Sequence, residues 1–199
     1  MSQAHVSVVL KLAIESDDPQ FRTFRVAQQG GWIHQQTLPA DAENALEIIW
    51  RHAQAPVELR FIQDDIAGQA YLALAGAALA VVAVEAGLRS SLPLTDLAEV
   101  LSRNRRALPG EMTDHLSKLP GLLAVLGPDV YDPAVMHAVA DLLESSNANV
   151  RLRTLTAMAR LGWPELRPLV TAVAHADEQD FVRWRAADLL LAYDRVAGQ

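Results

Sequence analysis

The stretches "PAVMHAVADLLESSNANVRLRTLTAMARLG" (133–162) and "PELRPLVTAVAHADEQDFVRWRAADLLLAYD" (164–194) decide the fold of the C-terminal half. Each starts at a proline, follows an apolar helical pattern, crosses a polar turn and enters a second helix that opens with Val-Arg. Each unit is an amphipathic helix pair, and its apolar face stays exposed unless another pair packs against it. The sequence therefore predicts that the pairs stack into an all-α repeat.

The repeat has two clear units, which we place at 132–162 and 163–195. Two units are few for a stable stack, because arrays of this kind usually need about three or more. Either residues 94–127 form a degenerate first unit, or the N-terminal half caps the stack. The Val-Arg opening is missing from 94–127.

Both units carry a Val-Arg pair directly after a polar turn, and small residues in the helix that follows. The pairs are Val150-Arg151 and Val182-Arg183, the turns are 145–149 and 177–180, and the small residues are Ala157, Ala159, Ala186 and Ala187. This pattern resembles the HEAT-repeat family in its short bacterial form. The resemblance implies that Arg151 and Arg183 are inter-repeat structural residues. It implies that Arg151 meets a carboxylate or carbonyl near 177–180, and that Arg183, in the last unit, is freer.

The N-terminal half predicts an α+β module with a mostly antiparallel sheet covered by helices on one side. Apolar residues alternate over 5–15, which is typical of a half-buried strand. Further strands are expected at 21–26, 32–36, 57–62 and 69–75, with helices through 45–53 and 77–89. We place this module at 1–91 and the helical repeats at 92–199.

One uncharged stretch, 66–84, is long enough to span a bilayer. It is rich in alanine, and acidic residues rather than Lys or Arg flank it. A buried strand and a helix, broken at Gly76, explain it without a membrane. The sequence thus disfavours a membrane partner.

Composition excludes several kinds of chemistry. The chain has no cysteine, so disulfides, thiolate catalysis and cysteine-based zinc sites are ruled out. Its formal net charge of −7 disfavours a nucleic-acid partner, which would usually require a basic surface. No nucleotide-binding or hydrolase motif is present, so we expect no cofactor and no metal. The absence of cysteine and of a secretory signal pattern favours a cytoplasmic location.

Four residues are candidates for binding a partner. Trp184 and Arg185 stand together in the last helix, and Trp and Arg dominate the residues that carry binding energy in protein interfaces. Arg153 is less constrained than Arg151 and could face a partner. Trp163 lies between the two units and is either an inter-repeat plug or an exposed anchor.

We therefore expect a non-enzymatic protein–protein interaction module or adaptor. The resemblance to the HEAT-repeat family implies that it belongs to a bacterial regulatory, immunity or conflict system. A homodimer is an alternative to a different protein partner. One alternative function is an enzyme with its site at Asp64 and Asp65, since paired carboxylates can bind Mg²⁺ or share a proton. In a hairpin these two are more often turn formers. A nucleic-acid-binding repeat protein is the other alternative.

Overall fold

The computed structural model describes residues 7–42, 44–106 and 112–197. The chain divides into two compact units, Met1–Asp96 and Leu97–Gln199. The division falls a few residues beyond the predicted seam at 91–92, because Leu94 and Thr95 form a short strand of the first unit.

The first unit is an antiparallel six-stranded sheet with two helices. Its strands are β1 (Ser7–Ile14), β2 (Trp32–Leu38), β3 (Leu46–His52), β4 (Val57–Asp64), β5 (Gln69–Ala77) and β6 (Leu94–Thr95). Their order in the sheet is β2-β3-β4-β5-β1-β6, so β2 and β6 are the edge strands. The α+β character predicted for this half is confirmed.

A row of four apolar side chains crosses the centre of the sheet. Leu12 of β1 lies opposite Leu72 of β5, Leu72 opposite Phe61 of β4, and Phe61 opposite Ile48 of β3. Each is at most 7% exposed. Because side chains alternate between the faces of a strand, these residues define the buried face of the sheet.

Helices α1 (Pro19–Gln29) and α2 (Ala78–Arg89) cover that face. Ala27 of α1, together with Val81 and Leu88 of α2, belongs to the same buried cluster as the central strand residues. The first unit therefore has one core, between its sheet and its two helices.

The strand predicted at 21–26 is wrong, because this segment lies within α1. Asp18 caps the helix by accepting a hydrogen bond from the backbone N–H of Phe21 at 3.2 Å, and Pro19 occupies its first turn. Thr23 and Ala27 are the buried residues, four positions apart as on one helix face. The apolar Phe24, which suggested alternation, is exposed.

The helix predicted through 45–53 is also wrong, because β3 occupies this segment. Ile48 and Trp50 point into the core, while Ile49 between them pairs with Arg60 on the other face. β3 hydrogen-bonds to β2 on one side and β4 on the other, and this pairing outweighs helix propensity.

The uncharged stretch 66–84 divides between β5 and α2. Gly76 lies near the end of β5, where a β-carbon would come within 2.5 Å of the Pro56 carbonyl oxygen. Within the described ranges, no helix combines the length and hydropathy needed to cross a bilayer.

The second unit consists of helices in the described residues. They are α3 (Leu97–Arg106), α4 (Met112–Leu126), α5 (Pro133–Leu143), α6 (Ala148–Leu161), α7 (Arg167–Ala176) and α8 (Asp180–Ala197), with a short 3-10 turn at Pro164–Leu166. Helix α6 packs against α4, α5 and α8, and α7 packs against α8. Helical structure is thus confirmed for this half.

Helix α6 is central to the second unit and has a defined cap at each end. The Asn147 side chain accepts a hydrogen bond from the Asn149 N–H at the start. Gly162 ends the helix in the left-handed conformation, with φ +65°, and its N–H bonds to the Met158 carbonyl at 3.0 Å. Between the caps, Leu155 and Met158 are fully buried.

Gly162→Ala should lower the free energy of unfolding by about 1 kcal/mol, since a β-carbon is disfavoured at positive φ. Gly87→Ala is the matched control, because Gly87 lies inside α2 with no atom within 4 Å of an added β-carbon. It should raise the free energy by up to about 1 kcal/mol through helix propensity. Urea unfolding followed by circular dichroism measures both. Equal effects would contradict the role given to Gly162.

Candidate protein-interaction surfaces

Arg151 joins two turns of the second unit. Its Nε and Nη2 donate to the two carboxylate oxygens of Asp177 at 2.7 and 2.8 Å, which is a bidentate pair. Its Nη1 donates to the Ser145 carbonyl at 2.8 Å. Asp177 begins the turn between α7 and α8, and Ser145 lies in the turn between α5 and α6. The arginine therefore fastens one helix pair to the next, at the partner position that the resemblance implied.

Both members of this pair are largely removed from water, with side-chain exposures of 10% and 4%. The hydrogen bonds from Arg151 hold the pKa of Asp177 below its usual value, and the Gln179 backbone N–H and the charge of Arg183 act in the same direction. The pKa of Arg151 is raised by the same hydrogen bonds. The pair is therefore charged at neutral pH.

Arg183 needs a correction, because its contacts do not join two units. Its guanidinium donates to the Asp177 carbonyl and to the Asp180 carboxylate. Both partners belong to the turn or the start of helix α8 itself. The reason is that the turn before α8 supplies acceptors within reach of its first residues. Arg183 thus closes its own helix pair.

Arg153 is exposed, and its Nη1 donates to the Ser117 carbonyl of α4 at 3.1 Å. One edge of its guanidinium is thus used inside the unit. Arg153 lies on α6, whereas the exposed tryptophan described below lies on α8.

Of the two alternatives given for Trp163, the exposed anchor is wrong, because the side chain is buried. It is 3% exposed, and its Nε1 donates to the Pro128 carbonyl at 3.2 Å. Its ring meets Tyr131 edge-on, with centroids 5.6 Å apart. A large ring with a satisfied N–H belongs in a core, so Trp163 plugs the space between α6 and the α4–α5 loop.

Trp184 is 69% exposed on helix α8. Phe181 lies three residues before it and Leu191 seven after it, so all three share one helix face. Phe181 is 42% exposed and Leu191 54%. We call these three residues the α8 face. Sequence reasoning found Trp184 but missed Phe181 and Leu191, although their helical spacing from Trp184 was a readable signal.

Arg185 is partly exposed beside the α8 face. Across the described segments, no carboxylate lies within ion-pair distance of it. Asp188, which shares the face, is exposed. Charged residues of both signs therefore border the apolar area of the α8 face.

Asp64 and Asp65 do not form an open pair of carboxylates. Asp64 is 2% exposed and accepts a hydrogen bond from the Ala67 N–H at 2.8 Å, which closes the turn between β4 and β5. Asp65 is exposed and accepts from the Gln63 side chain at 3.3 Å. Their arrangement is that of turn-forming residues. In the part of the chain that the structure describes, no three His, Asp or Glu residues are grouped to hold a metal ion.

Comparison of the chain with protein-family models, curated proteins and solved structures gives no match.

Arg151→Gln should lower the free energy of unfolding by about 3 kcal/mol, because it leaves the buried Asp177 carboxylate without its bidentate partner. Arg153→Gln is the matched control on the same helix, and its cost should stay within about 0.5 kcal/mol. Urea unfolding of both variants measures the difference. Equal costs would show that the Asp177 pair does not stabilise the unit.

The same pair predicts acid sensitivity. Because the pKa of Asp177 is lowered on folding, its stabilisation is fully present above the unfolded value near 3.8 and is lost as the pH falls through the folded value. Asp177→Asn should therefore lose less stability than the wild type between about pH 4 and pH 2. Asp188→Asn, which removes an exposed carboxylate from α8, is the control. Parallel stability curves for wild type and Asp177→Asn would contradict the assignment.

Proposed function

We propose that this chain is a non-enzymatic protein-interaction module whose α8 face docks a partner protein. The observation that carries the proposal is the 69% exposure of Trp184 between two further exposed apolar residues of one helix. Clusters of this kind, with a Trp and a neighbouring Arg, provide most of the binding energy in many protein interfaces.

The second unit is, in this proposal, a short HEAT-like stack. Support comes from contacts that recur at a spacing of 32 residues. Arg151 donates to the Ser145 carbonyl and Arg183 to the Asp177 carbonyl, each six residues earlier. The side chains of Ser145 and Asp177 each accept the backbone N–H two residues later. Two turns with one hydrogen-bonding scheme are what repeat units require.

Helices α3 and α4 serve as the degenerate first unit of this stack. They pack against each other, and α3 also packs against α5 and α4 against α6. α6 in turn packs against α8, so the second helices of the three units, α4, α6 and α8, pack in chain order. Residues 107–111 of the predicted unit lie outside the described residues.

The partner in this proposal is a protein rather than a nucleic acid. The chain has a formal net charge of −7, and phosphate recognition needs a concentration of unpaired basic residues. On α8, Arg183 is paired with Asp180 and Asp188 adds an acid to the exposed side. We place the module in the cytoplasm, as part of a bacterial regulatory, immunity or conflict system, on the basis of its composition and of the resemblance.

Trp184→Ala/Arg185→Ala should weaken capture of the partner about thirtyfold, since it removes a Trp and an Arg from the centre of the surface. The measurement is affinity capture from lysate of the source organism with the full chain as bait, followed by titration of the captured protein. Val130→Ala is the matched control, because Val130 is a 73% exposed apolar residue outside α8. It should bind as the wild type does.

Circular dichroism of each bait verifies the fold. Capture that is equally strong with the double variant, or no specific capture by the wild type, would contradict the proposal. A second copy of the chain is the alternative partner. Light scattering then shows a wild-type dimer that the double variant converts to monomer.

A further inference from the structure

We propose that the groove between α1 and the C-terminal half of α2 binds an acidic amphipathic helix of a partner protein. This surface belongs to the first unit and rests on none of the residues of the α8 face. It would give the module a second, independent docking site.

The groove consists of two adjoining cavities of about 500 and 550 Å³. Val26 and Gln29 of α1 and Ser91 after α2 line both, so the depression is continuous. The α1 residues that line it run from Asp18 to Gln29. At about 1.5 Å per residue they extend for roughly 16 Å, which accommodates three turns of a bound helix.

The walls of the groove are largely apolar. Trp32 and Val84 line it and are only half-buried, and Phe21 on its rim is 56% exposed. Val26 contributes the apolar side of α1. Walls of this kind suit the apolar stripe of an amphipathic helix, whose anchors recur every three or four residues.

The charge of the rim specifies the partner. Arg22 and Arg25 line the first cavity, and among the described residues no carboxylate lies within ion-pair distance of either. Arg25 instead lies over the Phe21 ring, 5.9 Å from its centroid. Asp18 also lines this cavity, but its carboxylate caps α1.

Helix α1 carries no acidic residue, so its positive charge is not neutralised from within. Arg22 and Arg25, which have no carboxylate partner among the described residues, are complementary to Asp or Glu beside an apolar stripe. The groove lining holds two arginines against one aspartate, Asp18, so in a chain of net charge −7 it is more favourable to an acidic partner segment than the average surface is.

The test is a display selection on the full chain with 14-residue peptides patterned as amphipathic helices and random at their polar positions. Enriched peptides should carry more Asp and Glu than Lys and Arg. In fluorescence anisotropy, Arg22→Gln/Arg25→Gln should weaken their binding about tenfold, or ~1.4 kcal/mol. Added salt should weaken wild-type binding as well, since it screens these charges.

Two further variants locate the site. Ala83→Glu puts a negative charge at an exposed position in the groove wall and should abolish binding without disturbing the core. Arg51→Gln, an exposed arginine of β3 on the opposite face of the sheet, should leave binding unchanged.

Enriched peptides without an acidic bias, or an affinity that Arg22→Gln/Arg25→Gln does not change, would overturn the proposal. Failure of any peptide to be enriched would do the same, as would retention on phosphatidylserine vesicles in place of peptides. Peptides that lose affinity only with Trp184→Ala would support the α8 face and overturn the groove.

Discussion

Asp177 is the residue on which the second unit depends, because three hydrogen-bonding groups from two helix pairs converge on it. Its carboxylate receives both Arg151 donors and the Gln179 N–H, and its carbonyl receives Arg183. The carboxylate binds Arg151 of the preceding helix pair, and the carbonyl accepts from Arg183 within its own pair, α7 and α8. Ser145, 32 residues before Asp177, makes the same carbonyl and turn contacts. The residue 32 positions before Arg151 is Leu119, so Ser145 has no arginine at the position from which Arg151 binds Asp177. An aspartate therefore occupies this turn position only where the preceding helix pair supplies an arginine, Arg151, that binds it.

Regular hydrophobic periodicity made much of the fold readable from the sequence. Strand β1 and the helices after residue 133 follow from apolar spacings of two and of three to four residues. Two segments could not be assigned in this way. Phe21–Val26 contains apolar residues that alternate, yet Asp18 and Pro19 begin a helix there. Leu46–His52 contains good helix formers, yet its place between two strands requires an extended backbone. Strand pairing decided the second segment, whereas the cap at Asp18 and the proline at Pro19 are local signals for the helix in the first.

The candidate interaction surfaces were predictable only in part, because burial decides whether a side chain is available to a partner. Trp184 and Trp163 are both tryptophans of the second unit that the sequence offers as candidate anchors, Trp163 with a buried alternative. The structure leaves one 69% exposed and the other 3% exposed. The arginines of α1 escaped sequence reasoning altogether, since a strand was expected there. A correct helix would have placed Arg22, Val26 and Gln29 on one face.

The irregular pairing of β2 has a consequence for how the sheet ends. His34 pairs with Trp50 and Gln36 with Ile49, so Gln35 is an extra residue that bulges out of the edge strand. Its side-chain amide donates to the Ile33 carbonyl at 3.1 Å. The bulge interrupts the straight run of donors and acceptors that an incoming strand needs. β2 contains neither the lysine nor the proline that commonly guard exposed sheet edges. The bulge at Gln35 is therefore the feature of β2 that disfavours edge-to-edge pairing.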